Sequence, residues 1–240
     1  MATRSRYEPC AVLRSQDIAC LVYFEDAVAA YGAPTALFDV YLLVPDLAEA
    51  EEALVAAGWA TAPPFGRAYH FLNTALYISH RRLVPPADTT VAESIAAPPS
   101  PPQGAPEPAT AVLLPAACWN VSNIEELCVA SPTSLIPPLP VLLDSFIKAL
   151  LDLPPRGWTL VHDHLATHIA YLYRHCAALK TQEFADQLAL EHRQFHYDAL
   201  SKPGLGTLPF IFEQRKIRDD IRNGDRGPQR NAWYLPPSRP

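Results

Sequence analysis

Apolar positions in the first half of the chain come in short runs separated by turn formers. Residues 19–24 form an apolar run of strand length, and residues 25–31 suit a short helix ended by Gly32. Residues 36–44 read ALFDVYLLV, nearly all apolar and rich in β-formers, which predicts a strand covered on both faces. Residues 46–58 then place Leu47, Leu54 and Val55 at helical spacing. Asp46 is expected as the N-cap, Glu49 stands at the capping-box position, and Gly58 stops the helix. Two short strands about a turn near Asn73-Thr74 are expected in residues 69–83. A further strand is expected in residues 110–119, edge-like because Pro115 interrupts it.

The pattern breaks at residues 84–109, where prolines stand among Ala, Ser, Thr and Gly. Proline fixes φ and lacks a ladder donor, so neither a helix nor a central strand is expected there; a flexible insertion is. After Pro140 the strand signals stop, and residues 141–152, 158–180, 181–200 and 209–223 each carry helical spacing. The pattern therefore predicts an α/β protein, a small mixed sheet flanked by helices with a helical C-terminal half. Its expected organisation is an α/β domain over residues 1–119 with the Pro-rich insertion at 84–109. A helical region at 120–225 packs on that domain, and a Pro/Arg tail occupies 226–240.

Composition narrows the function classes. Of 240 residues, 49% are hydrophobic, enough for a sizeable core. The formal net charge of −6 argues against duplex nucleic acid as a partner, which would draw on a surplus of Lys and Arg. Five scattered cysteines without a CxxC pair read as reduced thiols, most of them small core residues. No apolar run follows a basic N-terminal stretch, and none reaches the roughly 18 residues a membrane span needs. A cytoplasmic protein without a membrane partner is the expectation.

Residues 20–59, CLVYFEDAVAAYGAPTALFDVYLLVPDLAEAEEALVAAGW, carry the chemistry. Gly32 precedes Asp39, the run Asp39-Val-Tyr-Leu-Leu-Val44 occupies an acidic strand, Pro45-Asp46 opens the next helix and Gly58-Trp59 closes it. This stretch resembles the nucleotidyltransferase fold, particularly its minimal and antitoxin-like branch. That family shows a strand, a Gly-Gly or Gly-Ser turn opening a helix, and then a strand reading Asp-x-Asp. The resemblance is strong over these residues and weak over the first 115 or so.

What the resemblance implies is a Mg²⁺ site and a nucleotide or other phosphorylated small molecule as ligand. Two acids at i and i+2 on a strand share a face and hold the ion, which bridges to the phosphates. A third acid on a neighbouring strand serves the attacking hydroxyl. Three departures are visible. Tyr41 stands where the second acid belongs, Phe24-Glu25-Asp26 fills the Gly-Ser turn, and the later strands hold no Asp or Glu. The leading expectation is a degenerate member without nucleotidyl transfer, a binding or regulatory module with no cofactor specified. The alternative is an active enzyme with a rebuilt site. There Asp39 is the metal ligand, and Glu25 and Asp26 join it in catalysis. Gly32, Tyr41 and a cationic stripe of Arg215, Arg218 and Arg222 would contact the ligand.

A third reading is a helical metal-binding protein whose histidines hold the ion. His164, His168 and His175 share one helical face, and His192 and His196 stand at i, i+4. Neither set is a zincin motif, because Leu165 and Arg193 follow the first histidines; interhelical hydrogen bonding is the blander expectation. No nucleophile elbow, phosphate-binding P-loop or dinucleotide Gly-rich turn occurs.

Overall fold

The apolar runs of the first half become one five-stranded mixed sheet in the computed structural model, which describes residues 3–63, 79–86, 90–91, 110–154, 160–202 and 204–229. The chain divides into two compact units, residues 1–30 with 34–137 and residues 31–33 with 138–240. In the first unit, β1 (Thr3–Arg4) and α1 (Glu8–Ser15) precede β2 (Leu21–Tyr23) and α2 (Phe24–Ala30). Then come β3 (Val40–Val44), α3 (Leu47–Ala56), β4 (Ala60–Ala62), β5 (Arg81–Val84), β6 (Thr90–Val91), β7 (Ala111–Pro115) and α4 (Ile124–Ala130). The sheet order is β2-β3-β7-β5-β4. Only β3 and β7 run parallel; every other neighbour is antiparallel. β1 and β6 form a separate parallel pair.

Period-two alternation sorts the sheet into two faces. Val22, Val40, Leu42, Val44, Ala111, Leu113 and Leu83 meet Cys10 and Leu13 of α1 and Ala50 and Leu54 of α3 in one hydrophobic core. The other face carries a row fixed by register, Tyr23 opposite Tyr41, Tyr41 opposite Val112, and Val112 opposite Arg82. All five residues of β3 are buried, as its continuous apolar run predicts.

The α3 boundaries also match expectation. The Asp46 carboxylate accepts from the Ala48 and Glu49 amides at 2.7 and 3.0 Å, and Gly58 leaves the helix at φ +93°. Asp46→Ala is expected to cost about 1 kcal/mol. A shift in the urea midpoint with an unchanged slope checks it.

Elsewhere the structure departs from or goes beyond the expectations. β7 is an interior strand, because Pro115 falls at its last position, where the missing amide costs no ladder bond. Helices α1 and α4 go beyond the sequence reading. The first unit also runs on through residues 120–137. There the Val22 amide donates to the Leu135 carbonyl at 2.7 Å, and Arg14 donates to the Pro132 carbonyl at 2.7 Å. Finally, of the strands expected in residues 69–83, only β5 falls within the described residues, as does only part of the Pro-rich insertion, including β6.

The second unit is helical: α5 (Leu139–Asp152), α6 (Leu160–His175), α7 (Gln182–Ala185), α8 (Arg193–Ser201) and α9 (Leu208–Arg222). Its core holds Leu143, Phe146, Ile147, Leu165, Ile169 and Leu172. The single helix expected over 181–200 is broken, because Asp144 of α5 competes for its backbone. The Asp144 carboxylate accepts from the Ala189 amide at 3.2 Å and pairs with His192 Nδ1 at 2.8 Å. Among the described residues no helix is long and apolar enough to cross a membrane.

Candidate functional site

The carboxylates singled out by the sequence gather at one end of the first unit's sheet, and each aspartate meets an arginine. Asp39 sits one residue before β3, opposite Thr110, since the register pairs Val40 with Ala111. Counting by two from Tyr41, Asp39 belongs to the same face as Arg82. Arg82 Nη2 donates to Asp39 Oδ2 at 3.4 Å and Nε donates to Thr110 Oγ1 at 3.2 Å. Thr110 Oγ1 in turn donates to Asp39 Oδ1. Asp39, Arg82 and Thr110 are all buried.

Asp26, in the first turn of α2, is held by Arg6 as a fork: Nε to Oδ1 and Nη2 to Oδ2, both at 2.8 Å. Tyr7 Oη adds a third bond to Oδ1 at 3.0 Å. Burial, then the Asp26 charge, push the Tyr7 phenol up to about 12, so it stays a neutral donor. Arg6 also donates to the Phe38 and Asp39 carbonyls at 3.0 and 3.1 Å, which fixes the chain entering β3. Burial pulls the Arg6 guanidinium down, but the bond to Asp26 and its charge outweigh that, and the net shift is upward.

Glu25 is also buried, and its carboxyl is raised from 4.5 to about 8. Burial is the largest cause. Repulsion from Asp26 and Asp39 adds to it, while its own backbone hydrogen bond and Arg6 oppose it. The cluster therefore sets two aspartates against two arginines, with burial favouring the neutral form of Glu25.

The turn that presents these acids is strained. Phe24, between β2 and α2, has φ +51° with its side chain fully buried. A bulky residue in the left-handed region costs on the order of 1–2 kcal/mol. Packing holds it: the ring lies 4.6 Å from Tyr23, 5.2 Å from Tyr41 and 4.9 Å from Trp119, the last two edge-on. Tyr41 is accordingly a packing residue in the wall of the cluster, and burial, then the Glu25 and Asp39 charges, raise its phenol well above the ordinary range.

The remaining predicted residues lie elsewhere. Gly32 has φ +89° two residues after the end of α2, and a Cβ there would meet nothing within 4 Å, so its role is in the backbone. The three arginines belong to the second unit and are engaged within it. Arg218 pairs with Asp152 at 2.6 Å and Asp219 at 2.9 Å, Arg222 with Glu191 at 3.2 Å, and Arg215 donates to the Leu150 carbonyl at 3.2 Å.

The histidines divide similarly. The rings of His164 and His168 lie 4.1 Å apart, and His168 Nδ1 meets the His164 carbonyl at 2.7 Å. Burial drives His168 down to about 4. His175 is exposed and meets the Tyr171 ring instead, so the three do not form a triad. His196 bonds Tyr173 Oη at 3.0 Å.

Sequence reasoning missed Arg6, Tyr7, Arg82 and Thr110. A usable signal existed only for Arg82. Neighbouring strand residues point to opposite faces, so the doublet Arg81-Arg82 had to send one guanidinium inward. Arg81 is the outer one, paired with Glu51 at 2.9 Å.

Fold and site together define an α/β protein with a charge-compensated carboxylate cluster at one end of its sheet. No family model, curated protein or solved structure matches the chain.

Proposed function

We propose that the first unit is a degenerate nucleotidyltransferase-fold module that no longer transfers nucleotides and acts as a binding or regulatory module. The carrying observation is the Asp39–Arg82–Thr110 lock. In an active member the acid at this position faces Mg²⁺, and a third acid stands on a neighbouring strand. Here β5, one strand beyond the neighbouring β7, supplies Arg82, whose charge would occupy the place of the ion. An incoming cation would have to displace a buried guanidinium, leaving it without a counter-charge, a cost of about 3–5 kcal/mol.

Two further features support the reading. Tyr41, at the second acid's position, cannot ligate Mg²⁺ as a buried neutral phenol. Phe24 keeps the left-handed backbone suited to the family's glycine turn while filling the phosphate cradle with an aromatic ring. A phosphorylated ligand at this cluster would have to draw Arg6 or Arg82 away from its aspartate.

Titration calorimetry with ATP, GTP and CTP, with and without Mg²⁺, tests the proposal alongside a transfer assay using labelled nucleotides. The expected result is no Mg²⁺-dependent heat and no label on protein or added RNA. Label transferred by wild-type protein and lost in Asp39→Asn would instead establish a rebuilt active site.

A further inference from the structure

The second unit carries a histidine pair that the proposed function of the first unit leaves unused. His164 and His168 stand at i, i+4 on α6, so one helical face bears both rings. The rings are 4.1 Å apart at a tilt of 46°, and a ring nitrogen of each lies within 4.8 Å of the other's. His168 is buried and His164 half-buried, so the pair has a dry side and a side that solvent reaches. The backbone sets which nitrogen of His168 carries the lone pair. Its Nδ1 lies 2.7 Å from the His164 carbonyl. A carbonyl oxygen only accepts, so Nδ1 donates and the lone pair of the neutral ring is on Nε2. Burial keeps that ring neutral, driving it down to about 4. An imidazole whose Nδ1–H is fixed on a backbone carbonyl, with Nε2 as the basic nitrogen, is the arrangement that metal-ligating histidines adopt. Phe146 of α5 lies edge-on to His168 at 6.0 Å and limits the turning of its ring.

The spacing suits one ion. His164-Leu-Ala-Thr-His168 repeats the interval at which a helix presents two imidazoles to zinc, with Leu165 in place of the glutamate that a zincin uses as general base. Two nitrogens bound to zinc at about 2.1 Å stand about 3.4 Å apart in tetrahedral geometry, a separation that small rotations of these rings reach. Three other histidines of this unit turn to other partners: His175 meets Tyr171, His192 pairs with Asp144, and His196 bonds Tyr173.

We infer that His164 and His168 form a binding site for a borderline divalent metal ion such as Zn²⁺, with its open coordination positions taken by an anionic ligand from solution. Imidazole nitrogen suits zinc and its neighbours in the first transition row better than it suits Mg²⁺ or Ca²⁺, which take oxygen ligands. Two neutral imidazoles leave the charge of the ion uncompensated beside a buried wall, and an anion relieves that cost. The pair itself supplies no general base, because Leu165 cannot exchange a proton.

The experiment titrates the full chain, stripped with EDTA, with Co²⁺ followed by visible absorption and with Zn²⁺ followed by calorimetry. One equivalent of each is expected to bind, with Zn²⁺ displacing Co²⁺, and azide is expected to shift the Co²⁺ bands. Affinity should fall at least about tenfold in His164→Gln and in His168→Gln, and stay at the wild-type level in His175→Gln. His164 is half-buried, so His164→Gln keeps the test open if His168→Gln loses its fold. Labelling wild-type protein with diethyl pyrocarbonate needs no variant: zinc should protect His164 and leave the exposed His175 reactive. No stoichiometric binding by wild type, an unchanged affinity in His164→Gln, or Co²⁺ bands that azide leaves unmoved would overturn the inference.

Discussion

Arg6→Met is expected to destabilise the protein by about 3–5 kcal/mol, among the largest losses any single side chain should produce here. Asp26 is fully buried at its side chain and receives both arms of the Arg6 fork at 2.8 Å. Without Arg6 its charge keeps only the Tyr7 hydroxyl bond, and a buried carboxylate with one neutral donor is poorly solvated. The chain into β3 also loses the two carbonyl bonds that Arg6 supplies at Phe38 and Asp39. The double variant Arg6→Met/Asp26→Asn separates these effects, because it removes the stranded charge but not the lost carbonyl bonds. Urea unfolding should recover more than half of the loss in the double variant. A single-variant loss below about 1 kcal/mol would mean that water reaches Asp26, and the cluster would then be a surface feature.

The sheet was legible because its strands announce themselves locally. β3 is an unbroken apolar run, and α3 carries its cap, amphipathic spacing and terminating glycine within one window. Where the reading failed, a distant group decided. Asp144 breaks the helix expected at 181–200 from more than forty positions away, by binding the Ala189 amide and the His192 ring. The place of β7 in the middle of the sheet depends on β5 returning to pair with it, which no local pattern encodes. Pro115 looked like an edge signal because its position within the strand, the last residue, was unknown.

The site divides along the same line. Asp39, Glu25 and Asp26 were found because they interrupt apolar strands or stand at a strand–helix turn, both visible in the sequence. What those acids do was not visible, since it depends on Arg6 and Arg82 arriving from elsewhere in the chain. An acid next to nothing in the sequence reads as a metal ligand; beside a buried arginine it is half of an internal ion pair. On the proposed reading, the two missing carboxylates of the family pattern and the two arriving arginines express one change, since removing negative charge and adding positive charge both weaken the attraction for a divalent cation.

Glu25 sets the second large expectation, a stability that falls as pH rises. Its carboxyl titrates near 8 in the fold and near 4.5 when ordinary, so between those values the unfolded chain has released a proton that the folded chain still holds. The unfolded state then binds fewer protons, and the slope of unfolding free energy with pH is negative, at most about 1.4 kcal/mol per pH unit. The stabilising difference is complete below pH 4.5 and is lost progressively up to pH 8, a total on the order of a few kcal/mol. Glu25→Gln keeps the shape and neutrality of the protonated acid but cannot ionise. Urea midpoints measured at pH 5, 6.5 and 8 should therefore decline less in Glu25→Gln than in wild type, leaving the variant the more stable protein at the alkaline end. Parallel curves for the two proteins would mean that Glu25 is already ionised in the fold at neutral pH. The cluster would then carry a net negative charge, and the Arg6 and Arg82 pairs would no longer suffice to exclude a cation from it.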